Sequence, residues 1–158
     1  MSVMDELIYD RTASDVNRWR ELKNKGWGSM TAMEKAEWLT ALKGCYNHTD
    51  MNRVEQAVEL LSARLSAGGY ITSPTVKTNW TVTSMPLQTD WERYYRNVQT
   101  VRNVLAVHDT TPPAPTMKNR LTYQTANNIE KILADVNALV GNMEQAWVYA
   151  GDIFAAEV

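Results

Sequence analysis

Three long segments of the chain carry apolar residues at alternating steps of three and four. The first is Met51, Val54, Val58, Leu61 and Leu65; the second is Trp91, Tyr94, Val98, Val101 and Leu105. The third is Ile129, Leu133, Val136, Val140, Met143, Trp147 and Ala150. A stripe that recurs every 3.5 residues cannot lie on one face of a strand, whose faces alternate every second residue. It is the seam of α-helices packed at a shallow crossing angle. The stripes therefore demand partners, either within one bundle or between subunits that supercoil, and periodicity alone serves both arrangements.

Helix punctuation extends this to an all-α bundle of about five helices. Thr12 or Ser14 caps a helix over about 14–25 that stops at Gly26. Thr31 with Glu34 forms a capping box for 32–43, before Gly44. Thr49 opens 50–67, stopped by Gly68 and Gly69. Thr89 with Glu92 opens 90–107, and Thr122 opens 123–149. Gly141 sits inside the last of these, at a cost of about 1 kcal/mol relative to Ala unless it marks a close packing point.

Two connections stand apart. Residues 71–88 hold five Thr, two Pro and one charge, and alternation around Val76, Trp80 and Val82 reads as an extended arm, either reaching over a neighbour or, as a loop, lying on its own bundle. Residues 109–118 are a Pro-rich, stiff connector. A short echo also recurs, Asn52-Arg53-Val54-Glu55 in the third helix and Asn127-Asn128-Ile129-Glu130 in the fifth. It is either a trace of duplication or a chance recurrence of a helix-start pattern.

Composition narrows the chemistry. The 158 residues fit one domain, read here as a single helical unit over 1–158, with a formal net charge of −2. That balance speaks against nucleic-acid or anionic-membrane binding, which need a basic footprint. One Cys allows neither an internal disulfide nor a Cys-based zinc site, and His48 and His108 lack ligand spacing. No apolar run reaches a membrane-spanning length, and the acidic first ten residues do not read as a signal peptide. Nucleotide-binding loops, nucleophile elbows and metalloprotease motifs are missing from the sequence. We expect no catalytic residue, cofactor or metal. Cys45 lacks a cue to a catalytic partner, and Asp90 with Glu92 reads as capping chemistry rather than a glycosidase pair. Glu55 and Glu130 can reach Arg53 or Arg93 in a buried network, although a solvated face is the default. Six Trp and seven Tyr against a single Phe, with 12 Asn and 16 Thr, favour half-buried contact surfaces.

Several stretches resemble a family of tailed-bacteriophage virion proteins from phages and prophages of Gram-positive bacteria. They are Tyr9-Asp10-Arg11-Thr12 with Asp15-Val16, and Gly26-Trp27 through Met30-Thr31 and Glu34 to Glu37-Trp38-Leu39. The most specific runs from Lys43-Gly44-Cys45-Tyr46-Asn47 through Thr49-Asp50-Met51-Asn52-Arg53-Val54-Glu55 to Gly69-Tyr70. Met85-Pro86 through Arg93-Tyr94 and Asn97-Val98, and Leu121-Thr122 through Ala126-Asn127-Asn128-Ile129-Glu130, complete it. The family usually has Ala where this chain has Cys45, and often an acidic or small residue at Tyr95. The resemblance implies a non-enzymatic structural protein of the virion tail, baseplate or fibre attachment, made in the host cytoplasm. Its implied partners are copies of itself and other virion proteins, acting through repeated interfaces. Trp80, Val82 and Met85 of the arm are expected to bury against another subunit, with Trp27 and Trp91 as further interface candidates. The alternative is a host-surface module that stacks cell-wall glycan on exposed Trp and Tyr.

Overall fold

A computed structural model describes residues 2–40, 42–117 and 121–155, the side chains of 147–155 excepted. Five α-helices carry the fold: α1 (Ala13–Lys25), α2 (Ala32–Thr40), α3 (His48–Ala67), α4 (Gln88–Asn103) and α5 (Tyr123–Ala155). Single 3-10 turns at Val3–Glu6 and Trp27–Ser29 add to them, and no strand occurs among the described residues.

The seams predicted from spacing form the core. Val54, Val58, Leu61 and Leu65 of α3, Tyr94, Val98 and Val101 of α4, and Ile129, Leu133, Val136 and Val140 of α5 are buried in one cluster. Trp91 and Leu105 pack against it half-buried. Trp147 and Ala150, at the end of the third stripe, lie outside the described side chains, as does Lys118 of the connector.

The three core helices run parallel. Arg53 near the start of α3 pairs with Glu130 of α5, and Arg64 near its end pairs with Glu144. Arg93 in the second turn of α4 meets Glu55 in the third turn of α3, while Gln99 to Val104 lie beside Ile71 and Thr72, where the chain has just left α3. Parallel helices cannot be joined by tight turns. A 20-residue helix is about 30 Å long, so the chain needs at least about nine stretched residues to return to its starting end. This accounts for the two long connections. Residues 71–87 run back along α3 as a strap without helix or strand, and 104–117 return beside α5.

Two helix starts differ from expectation, and three helix ends do too. Asn47, not Thr49, caps α3, because its Oδ1 accepts the N–H groups of Thr49 and Asp50 while the Asp50 carboxylate takes the Asn47 N–H. Helix α4 starts at Gln88, and Asp90 takes the Leu87 N–H at 2.9 Å; Glu92 instead accepts a bond from Gln88. α2 stops at Thr40, α4 at Asn103, and α5 continues to Ala155. Thr12, Thr31 with Glu34, and Thr122 cap as predicted.

α1 and α2 form a side hairpin. Arg18 grips Glu37 with two bonds of 2.7 and 2.9 Å, and Lys25 reaches both oxygens of Glu34. Leu22 and Met30 are the buried apolar contacts of this pair. Gly44 docks it to the loop before α3: a Cβ there would lie 2.0 Å from the Asp15 carbonyl oxygen, so only glycine lets the two backbones meet.

Candidate interaction surface

The strap is held by side chains of the helices it crosses. Asn52 of α3 accepts the Trp80 N–H at 2.8 Å and donates to the Trp80 carbonyl at 2.9 Å. Asn97 of α4 treats Thr75 the same way, at 3.2 and 2.7 Å. An asparagine amide presents a donor and an acceptor side by side, as a peptide group of a neighbouring strand would, so it satisfies both backbone groups of one residue. Asn127 of α5 does this for Arg11 in the N-terminal segment, at 3.0 and 2.8 Å.

Glutamates complete two of these clamps. Glu55, three residues after Asn52, accepts the N–H of Lys77, three residues before Trp80. Glu130, three residues after Asn127, accepts the N–H of Ile8, three residues before Arg11. The Asn-x-x-Glu echo is thus one device used twice, each time lashing a non-helical segment that runs opposite to its helix. Both glutamates are buried, Glu55 at 1% exposure and Glu130 at 0%. The default of a solvated face does not hold, because each carboxylate has guanidinium partners. Arg93 bonds both oxygens of Glu55. Arg53 bonds both oxygens of Glu130, and Arg11 joins Glu130 to Asp50 at 2.7 and 2.9 Å. The Arg11, Arg53, Asp50 and Glu130 cluster is charge-balanced, the condition under which burial of ions is tolerated.

The structure divides the interface candidates. Trp80 is 3% exposed: its backbone is clamped by Asn52, its ring is buried, and the Lys77 ammonium lies 3.7 Å from the ring centroid. Its ring is therefore filled by its own chain, which corrects the expectation that it buries against another subunit. Trp91 is half-buried and packs edge-on against Tyr94, 5.6 Å between centroids. Val82 and Met85 are 84% and 87% exposed, with Leu87 exposed beside them. Val82 lies in a turn closed by the bond from Ser84 N–H to the Thr81 carbonyl, and Met85 and Leu87 follow between that turn and α4. Next to that turn a pocket of about 330 Å³ opens between Tyr46, His48, Met51, Trp80 and Trp91. Trp27 is half exposed on the turn between α1 and α2, with Lys35 over its ring, away from the strap.

Comparison with protein-family models, curated proteins and solved structures finds no match.

Burial pushes the Cys45 thiol up from its ordinary value. Tyr46 and Tyr94 share a hydrogen bond, and burial raises both phenols. Among the described residues no group of three His, Cys, Asp or Glu side chains is placed to hold a metal ion. Among them, too, no helix is long and apolar enough to cross a membrane. Sequence reasoning missed Asn97, which has Thr100 rather than a glutamate three residues on and so breaks the echo.

Proposed function

We propose that the protein is a structural component of a tailed-phage particle that works by assembly, in the tail, baseplate or fibre attachment, through copies of itself and neighbouring virion proteins. The observation that carries this reading is the exposed trio Val82, Met85 and Leu87, on the turn and the short link to α4 that follow a strap lashed at Thr75, Lys77 and Trp80. Apolar side chains left in water on a pinned turn favour burial against a partner, and pinning removes most of the ordering cost of docking. The sequence resemblance to virion proteins supplies the setting.

The test is mass in solution by size exclusion with light scattering, for the parent chain and for a Val82→Asp, Met85→Asp double variant. An oligomer that falls to smaller species in the variant, with the circular dichroism unchanged, supports the reading. A variant oligomer of unchanged mass removes the turn from the interface. Gold-labelled antibody on purified particles would place the protein in the tail, and a protein missing from the particle would overturn the assignment. Retention on purified cell walls, competed by free sugar, would favour the glycan-binding alternative.

A further inference from the structure

The pocket of about 330 Å³ beside the strap turn has a wall and a projecting side chain in one short segment. Ser84 and Pro86 line it half-buried, while Met85 and Leu87, which alternate with them, are exposed and do not line it. That alternation belongs to extended backbone, whose successive side chains face apart. A residue before proline is held to extended conformations, so Pro86 fixes Met85 in this posture. Met85 thus stands next to an open pocket of its own chain, turned away from it.

Two observations select what fills that pocket. The first is charge. No Asp, Glu, Lys or Arg lines it, and none occurs from Thr78 to Thr89. A partner chosen by charge has nothing to pair with here, whereas a second copy brings the same neutral turn and meets no repulsion. The second is self-complementarity. A two-fold dimer uses one patch on both copies, so that patch must carry projection and recess together. Met85 and the pocket adjoin in this way. Tyr46, Trp80 and Trp91 line the recess, with Met51 below 5% exposure among them. Aromatic walls suit a thioether, whose sulfur gains from ring contact and whose unbranched chain adapts to an irregular recess.

We propose that two copies of the chain pack about a two-fold axis at the strap turn, with Met85 of each copy seated in the pocket of the other, against Tyr46, Met51 and Trp91. Val82 and Leu87 close the rim. This rests on the reading of the turn as an assembly surface, and adds to it the partner and the pocket that receives it. Both projections and both pockets are used up, so this contact stops at two chains, and any larger assembly needs another surface.

Nuclear magnetic resonance of the full chain with labelled methionine methyls tests it, beside mass in solution. The chain is a dimer. The Met85 methyl signal, assigned with Met85→Leu, lies upfield through the ring currents of the aromatic wall and returns to its free position as the sample is diluted to monomer. In a mixture of labelled and unlabelled chains, the labelled Met85 methyl shows cross-relaxation with the Tyr46 and Trp91 ring protons of the unlabelled copy. Met85→Ala raises the dimer Kd about a hundredfold, because two buried side chains are lost, with circular dichroism unchanged. A dimer whose Met85 methyl keeps its free position overturns the seat, gives the pocket to another occupant, and leaves the turn as an assembly surface. An upfield shift that persists in the monomer shows that the chain fills its own pocket, and also overturns the proposal. A parent chain that stays monomeric overturns this contact together with self-association through the turn.

Discussion

The Asn127→Asp variant probes the clamp most sharply. Asp matches Asn in shape, so packing is preserved, but its second oxygen would face the Arg11 carbonyl where Nδ2 now donates at 2.8 Å. One donor is lost and two acceptors are pressed together. Arg11 is buried, so water cannot take over. An unsatisfied buried polar group costs about 1–3 kcal/mol, and Asn127→Ala strands both the N–H and the carbonyl of Arg11, for about 3 kcal/mol in all. At roughly 2–4 °C per kcal/mol for a chain of this size, Tm should fall by about 6–12 °C. The isosteric Asp variant should lose at least as much, since carboxylate and carbonyl repel and Glu130 lies one turn away. Urea unfolding followed by circular dichroism gives the free energy, with Asn142→Asp, on the exposed side of α5, as a control expected to change it by less than about 0.5 kcal/mol. If Asn127→Asp costs no more than that control, the bonds to Arg11 are not what holds the N-terminal segment, and the clamp argument fails for Asn52 as well.

Three other outcomes follow from the same structure. Gly44→Ala should be among the more damaging single changes, because its methyl meets the Asp15 backbone at 2.0 Å and one chain must move; a melting temperature near the parent value would contradict this contact. Gly141→Ala should instead stabilise by about 0.5–1 kcal/mol, since the new methyl meets only Arg64 Nη2 at an ordinary 3.8 Å inside a helix, and calorimetry will show the sign. In acid, the bond from Lys25 holds Glu34 down to about 2 from its ordinary 4.5, while Arg18 lowers Glu37. A lowered folded value means the contribution is full above the unfolded value and is lost as pH falls through the folded one. The α1–α2 hairpin should therefore loosen between about pH 4.5 and 2, read by amide exchange; loosening at pH 6 would show that these carboxylates do not govern it.

The sequence made the seams legible because each is a local period, and the buried residues of α3, α4 and α5 fall where the spacing puts them. Caps were legible where Thr is the sole candidate, as at Thr122. They were misread where a stronger acceptor stood two residues earlier, as with Asn47 ahead of Thr49. Direction was the larger loss. Periodicity is the same for parallel and antiparallel neighbours, so 71–88 read as an arm and 109–118 as a stiff connector, and neither was recognised as the return path that parallel helices require. Trp80 was misplaced for that reason: an apolar residue in a polar segment looks exposed until the segment is known to lie along α3. The Asn-x-x-Glu echo was visible, but its meaning depends on partners 28 and 116 residues away, which no local rule reaches.

Those separations also impose an order in time. The backbone of Ile8 and Arg11 is satisfied by Glu130 and Asn127, so the first dozen residues have no native anchor on α5 until more than a hundred further residues exist. On the ribosome, the N-terminal segment must wait while α1, α2, α3 and α4 emerge. Closing such a loop is slow compared with the local contacts of an antiparallel bundle. Residues 8–11 are therefore fastened to α5 only after residues 127–130 have been made, so this lock closes late in the order of synthesis.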